Sequence, residues 1–237
     1  MSHRPTLKLE GTIAADGPSL RNALQWAGAR PVPAGGFGLF ALKAQTIISG
    51  GTFALSSVNI ELDGNAAEGV LAFTNEPRMT VKGTLAADSL DLSPYVSAFE
   101  LMRSSERDWS RRPIAIDGLT DFDLDLRLSA ARITVATARL GRTGVTANLR
   151  NGRLTVAIGE AQACGGVLRG SLLLAKVNAG ADVRSLLQFN DVDLETCLGE
   201  LFGIRKLEGR GDIAMAFEAS GDSVFGLTRT LAGTATL

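Results

Sequence analysis

Apolar and polar residues alternate along most of this chain in short runs. Because successive side chains of a β-strand point to opposite faces, each run predicts a strand with one apolar side. The apolar positions of these runs include Phe40, Leu42, Ile60, Leu126, Val135, Val156 and Leu172. The segments SGGT, DGN, RNG and CGG between the runs are typical of tight hairpin turns. The pattern therefore predicts an antiparallel sheet that is apolar on one face and polar on the other.

Four short amphipathic helices interrupt the predicted strands, at 17–28, 92–102, 193–203 and 221–233. Ser93 is the expected N-cap of the second, Asp193 of the third, and Asp222 or Ser223 of the fourth. Gly28 and Gly203 are the expected stops of the first and third. Helices of about three turns are too short to be stable alone, so these must pack on the sheet by an apolar stripe.

Two sequence patterns recur along the chain. A strand, a polar turn and a helix occur at 7–28 and again at 211–233, and a strand with a helix led by Asp-Leu occurs at 79–101 and at 184–203. Recurrence at long period is typical of repeat architectures. We expect a first β-rich unit at 1–101, a polar, charged connection at 102–117, and a second unit at 118–237 that ends in mid-strand. The chain would then be a truncated fragment of a longer repeating β-protein.

Composition and charge exclude several classes of function. The formal net charge of the 237 residues is −1, so no basic field is present to bind nucleic acid. The single histidine, His3, disfavours a Ser-His or Cys-His catalytic site. Asp121, Asp123 and Asp125 alternate on one strand, yet Leu126 stands where a Ca²⁺ loop would need glycine, and a solvated polar face is favoured. We therefore expect no enzyme activity, no metal and no cofactor.

The two cysteines, Cys164 and Cys197, are far apart in sequence. Two buried thiols are the favoured interpretation, and whether they pair as a disulfide stays open. The apolar sheet face also leaves two interpretations. Either a second layer covers it in a closed sandwich, or the sheet curls around a hydrocarbon ligand.

The second half of the chain resembles the C-terminal region of the AsmA family of Gram-negative envelope proteins. A Gly-Gly turn precedes a G-x-L strand, a Val-Asp-Leu helix start follows, then an L-x-G-x-G-D strand and a G-x-S helix that closes in L-x-G-x-A. The matching residues are Gly165, Gly166, Gly170, Leu172, Val192, Asp193, Leu194, Leu207, Gly209, Gly211, Asp212, Gly221, Ser223, Leu231, Gly233 and Ala235. The resemblance covers about residues 118–237 and rests on structural glycines and apolar positions.

The resemblance implies a mainly β fold with a few short helices, in which an elongated, twisted and curled antiparallel sheet forms an apolar groove or half-pipe. It implies a periplasmic module tethered to the inner membrane by an N-terminal helix that this chain lacks. Acyl chains of phospholipids would lie on the apolar face during lipid transfer and outer-membrane biogenesis. The expected groove residues are Phe40, Leu42, Ile60, Leu126, Val135, Val156 and Leu172. The alternative is an assembly factor that contacts envelope proteins through exposed strand edges.

Overall fold

A computed structural model describes residues 8–28, 35–75, 77–96, 109, 111, 113–114, 116–136, 138–178, 180–203 and 206–237. They form one open sheet of twelve strands, arranged in space in the order of the sequence. The strands are β1 (Lys8–Gly17), β2 (Phe40–Ser49), β3 (Thr52–Leu62), β4 (Asn65–Thr74), β5 (Thr80–Asp91), β6 (Asp123–Val135), β7 (Ala138–Arg150), β8 (Arg153–Ala163), β9 (Gly166–Val177), β10 (Gly180–Asp193), β11 (Arg210–Gly221) and β12 (Ala232–Thr236). The predicted mainly β fold is confirmed.

Tight turns account for the regular order of the strands. Gly50-Gly51, Asp63-Gly64 and Asn151-Gly152 connect their strands in two residues, each with positive φ at both positions. This conformation twists in the same sense as the flanking strands, and glycine, asparagine and aspartate adopt it at least cost. These are the turns that the sequence predicts, so neighbouring strands pair as consecutive hairpins.

The sheet is mixed, which corrects the expectation of a purely antiparallel sheet. β5 and β6 run parallel, with Val81 opposite Leu124 and Leu85 opposite Leu128, whereas the other neighbouring strands are antiparallel. A parallel pair needs a long connection, because the chain must return to the end at which β5 began. Residues 92–122 make that return. Strands β6–β10 therefore repeat the directions of β1–β5.

The two sets of five strands also share local features. The third strand of each set, β3 and β8, contains a bulge, near Ser57 in β3 and near Gly159 in β8. The fifth strand of each set leads into a helix, which agrees with the predicted recurrence of 79–101 at 184–203. Segments 7–28 and 211–233 resemble each other in sequence, but their strands β1 and β11 run in opposite directions in the sheet. The division at 102–117 remains a prediction, and the β5–β6 pair joins both segments in one sheet.

Three of the described helices lie at one end of the strands, here called the upper end, where β1 ends and β2 begins. They are α1 (Leu20–Trp26), α2 (Ser93–Val96) and α3 (Leu194–Phe202). Helix α4 (Val224–Thr230) and a 3-10 helix (Asp117–Thr120) lie at the opposite, lower end. Asp193 caps α3, Gly203 ends it in the left-handed conformation, and Ser223 caps α4, as predicted. Ser93 is instead the first residue of α2.

The core is distributed along one face of the sheet in three clusters of buried residues. One lies in β2 and β3 around Val58, one joins β5 and β6 around Ile133, and the largest packs β8–β11 against α3 around Val192. No second sheet occurs among the described residues. The closed-sandwich interpretation is therefore not the architecture of the described part of the chain.

Candidate functional site: the apolar face of the sheet

Three rows of side chains cross one face of the sheet from strand to strand. Directly paired residues lie on the same face, so the register identifies each row. The lower row consists of Leu9, Ile48, Phe53, Phe73, Val81, Leu124, Leu149, Leu154, Leu174, Val183 and Ala219. The middle row consists of Gly11, Thr46, Leu55, Leu71, Gly83, Leu126, Ala147, Val156, Leu172, Ser185, Phe217 and Gly233. The upper row consists of Val58, Gly69, Leu85, Leu128, Val145, Ile158, Gly170, Leu187, Met215 and Ala235.

These three rows, here called the apolar face, contain two polar residues, Thr46 and Ser185, and no charged residue. Adjacent strands lie about 4.8 Å apart, so a row over eleven strands runs for roughly 50 Å. A lipid tail spans one leaflet, about half of a hydrocarbon core that is about 30 Å thick. The apolar face is therefore about three times longer than one acyl chain.

Side chains within the apolar face interlock with one another. A Cβ added at Gly83 would lie 2.5 Å from Leu71 Cδ2, and one added at Gly170 would lie 2.8 Å from Leu187 Cδ2. The leucines thus fill the space above neighbouring glycines. Val58 and Leu149 are fully buried, whereas Leu172 is 38% exposed and Leu9 is 59% exposed. The face combines packed stretches with accessible ones.

Three of the seven predicted groove residues belong to the apolar face, and the other four lie outside its three rows, toward the upper ends of β2, β3 and β6. Leu42 pairs with Ile60, and Phe40 shares their alternation in β2. Leu126, Val156 and Leu172 belong to the middle row. Val135, at the upper end of β6, packs against the cluster around Ile133. Phe40, Leu42, Ile60, Leu126, Val135 and Val156 are half-buried, so Leu172 is the most accessible of the seven.

Several residues of the lower row lie outside the predicted groove set. Phe53 and Phe73 pair across β3 and β4 with ring centroids 6.1 Å apart, and Leu149 pairs with Leu124 and Leu154. The segments of Phe53 and Phe73, TFALSS and VLAFT, show weaker alternation because alanines occupy the polar side. The aromatic residues themselves were the available signal.

The opposite face has a mixed composition. One of its rows passes from Ile47 through Lys82, Asp125 and Arg184 to Glu218. Its large apolar residues are isolated: Ile47 is 38% exposed, Val70 50% and Leu186 58%. Scattered apolar residues of this kind are normal on protein surfaces. We therefore place the candidate site on the apolar face alone.

A segment of the β5–β6 connection lies against the lower end of the second set of strands. Lys176 shares the alternation of Leu172 and Leu174 on β9, and its Nζ lies 2.6 Å from Asp117 Oδ1 in the 3-10 helix. The Ile114 amide donates to the Asp222 carbonyl at 2.8 Å. Thr120 packs over the buried Gly152 of the β7–β8 turn. This segment, residues 113–121 without the undescribed residue 115, is here called the strap.

At the upper end of the first set, Asp63 joins three elements. Its Oδ2 accepts hydrogen bonds from the Tyr95 hydroxyl at 2.6 Å and the Phe37 amide at 2.8 Å, and its Oδ1 accepts one from the Gly38 amide at 2.8 Å. Desolvation opposes ionisation, but these bonds and the charge of Arg21 outweigh it and lower the pKa of Asp63. Burial and the Asp63 carboxylate raise the pKa of Tyr95. The Asp63–Tyr95 bond therefore fixes α2 against the β3–β4 turn.

A depression lies on the first set of strands. It has a volume of about 610 Å³ and runs along β1–β5. Most of its lining comes from the polar face, including Lys43, Asn59, Glu61 and Glu68 between small alanines. Its charged walls do not suit a hydrocarbon ligand, although the predicted groove residues Leu42 and Ile60 also line it.

No group of three or more His, Cys, Asp or Glu side chains that could hold a metal ion occurs among the described residues. Asp123 lies within 3.7 Å of the Arg78 guanidinium, whereas Asp121 ends the 3-10 helix. In the same part of the chain, no helix is long and apolar enough to cross a membrane.

Comparisons of the chain with protein-family profiles, curated proteins and solved structures gave no match. The resemblance to the AsmA family therefore rests on the sequence motifs quoted above.

Proposed function

We propose that this chain is a lipid-binding module of an AsmA-like envelope protein, and that acyl chains of phospholipids lie along its apolar face. In this proposal the module works in the periplasm, tethered to the inner membrane by a segment outside this chain. The observation that supports it most strongly is the uninterrupted apolar face, which crosses the open sheet without a charged residue.

The apolar face suits a ligand that moves along it. Burying one methylene group contributes about 0.8 kcal/mol. The apolar character is nearly uniform from strand to strand, so an acyl chain that leaves one contact regains an equivalent one at the next strand. Binding energy and mobility are then compatible, and phosphate head groups remain in water at the open side of the sheet.

Chemical extraction tests the proposal directly. The chain is purified without detergent, extracted with organic solvent, and analysed by mass spectrometry for lipids. We expect phospholipid in at least stoichiometric amount. A folded, monomeric and lipid-free protein would contradict the proposal. It would mean that the side chains of the apolar face pack against one another and not against lipid.

The exposed strand edges support a second candidate, an assembly factor for envelope proteins. β1 pairs with β2 on one side, and among the described residues no strand pairs with its other side. β1 is almost entirely exposed, and an unpaired edge accepts an added strand through backbone hydrogen bonds. Proline at Thr12, a residue of β1, tests this candidate. It would reduce capture of a partner protein and leave lipid binding intact.

A further inference from the structure

The two cysteines meet at the upper end of the second set of strands. Cys164 is the first residue of the two-residue turn between β8 and β9, with φ of 50°, and is half-buried. Cys197 lies in α3 and is completely buried. The fold thus brings residues of two different elements to one place, although β9 and β10 separate them in sequence.

The two thiols lie side by side. Cys164 packs against the buried cluster to which Cys197 belongs, and the two sulfur atoms are within reach of a hydrogen bond. The backbones are joined at the same point, because the Asp193 amide at the start of α3 donates to the Cys164 carbonyl at 2.9 Å. Helix and turn are therefore held in a fixed relative position.

We propose that Cys164 and Cys197 form a reversible disulfide that fastens α3 to the β8–β9 turn. The oxidant is an external disulfide, either a small molecule such as oxidised glutathione or a protein disulfide. The Cys164 thiolate attacks it, forms a mixed disulfide and releases one thiol. The Cys197 thiolate then attacks the Cys164 sulfur and releases the second thiol. Two protein thiols become one disulfide while the external disulfide is reduced to two thiols.

Accessibility fixes the order of the two steps. Only Cys164 is reachable from solvent, so Cys197 reacts after the mixed disulfide has formed. Burial raises the pKa of both thiols, and the carboxylates of Glu200 and Asp193 add to the rise. Because the thiolate is the nucleophile, oxidation is expected to be slow at neutral pH and faster at higher pH.

The disulfide would hold α3 in place over one end of the apolar face. Helix α3 packs on a cluster that includes Phe189, Ile213 and Met215, and Met215 belongs to the upper row. A covalent bond from α3 to the turn would prevent the helix from lifting away from this cluster. The inference does not depend on lipid binding, because it rests on thiol contact alone.

The whole chain is reduced, freed of reductant, and incubated with oxidised glutathione. Intact mass, thiol titration in denaturant and thermal unfolding are then measured. We expect loss of two hydrogen atoms, no titratable thiol, and a rise in Tm of about 5–10 °C. Two remaining thiols, or a stable glutathione adduct of the wild-type chain, would overturn the proposal.

Two single-residue variants distinguish formation of the mixed disulfide on Cys164 from the later attack by Cys197. Cys197→Ser should stop at the mixed disulfide on Cys164, whereas Cys164→Ser should leave Cys197 unmodified in the folded chain. Cys164→Ser changes a half-buried turn residue, so it provides a test even where Cys197→Ser does not fold. Glutathione on Cys197 of folded Cys164→Ser would contradict the order of attack and the enclosed position of Cys197.

Discussion

Leu172 and Leu186 lie on neighbouring strands but on opposite faces of the sheet. Leu172 pairs with Ser185, and Leu186 pairs with Ser171, so a shift of one residue in register separates them. Both leucines are accessible, at 38% and 58% exposure. They therefore form a matched pair for mutation. Substitution of Leu172 tests contact at the apolar face, and substitution of Leu186 tests the general effect of changing an exposed leucine.

Leu172→Asp should reduce bound lipid at least about tenfold, because a short carboxylate in contact with an acyl chain cannot reach water and its desolvation is costly. Leu186→Asp should leave the lipid content unchanged. The measurement is phospholipid per mole of protein after identical purification. Equal lipid contents in the two variants would contradict binding at the middle row.

Leu149 supports the apolar face as core, whatever the face binds. It is 1% exposed and pairs with Leu124 and Leu154 in the lower row. Leu149→Ala should lower the free energy of unfolding by about 3 kcal/mol, because it removes buried methyl groups and leaves a cavity. Urea denaturation measures the change.

The control for this experiment is Leu186→Ala, which removes a leucine of the opposite face. Surface substitutions of this kind usually change stability by no more than about 0.5 kcal/mol. Similar losses in Leu149→Ala and Leu186→Ala would mean that the two faces do not differ in packing as the structure describes.

Local signals in the sequence were sufficient to predict the strands and three residues of the apolar face, Leu126, Val156 and Leu172. Alternation placed Leu126 and Val156 on the same side, and turns such as Asn151-Gly152 separated the strands, because both signals are local. The parallel pairing of β5 with β6 could not be predicted. It depends on where the long connection returns, and no local pattern encodes that position.

Contacts between segments that are far apart in sequence could not be predicted either. Nothing near Lys176 or Asp117 indicates their ion pair, and nothing near Cys164 indicates its contact with Cys197. Such pairs arise from the three-dimensional path of the chain. The role of Asp63 had a partial signal, since Asp-Gly predicts a turn, but its partners Phe37, Gly38 and Tyr95 come from other elements.

Asp63 should make the protein sensitive to acid. Its folded pKa lies below the ordinary value of 3.8, so its contribution to stability is present above that value and is lost as pH falls through the folded pKa. Asp63→Asn should lose about 1–2 kcal/mol at pH 7, because hydrogen bonds to a charged group are replaced by weaker ones. The deficit relative to wild type should shrink below about pH 4.

Urea denaturation at pH 7, 5 and 3 measures this dependence. Asp88→Asn is the control, because Asp88 is an exposed aspartate of β5. A deficit of Asp63→Asn that stays constant from pH 7 to pH 3 would show that the charge of Asp63 does not stabilise the upper end.

The Lys176–Asp117 ion pair should control local opening of the strap. Lys176 is a charged residue next to the apolar face, and its side chain is 29% exposed, whereas that of Asp117 is 72% exposed. An exposed pair contributes at most about 1 kcal/mol, so global stability should change little. Lys176→Met should speed hydrogen exchange of the strap amides up to about fivefold, the equivalent of that free energy.

Arg169→Met is the matched control, because Arg169 lies on the same strand and forms an exposed pair with Glu160 at 2.9 Å. It should leave exchange in the strap unchanged. The readout is mass-spectrometric hydrogen exchange of peptides that contain Leu119 and Asp121, whose amides donate within the segment at 3.1 Å. If Lys176→Met and Arg169→Met exchange at the same rate there, the strap is held by its apolar residues and backbone hydrogen bonds, and the ion pair does not contribute to holding it against the strands.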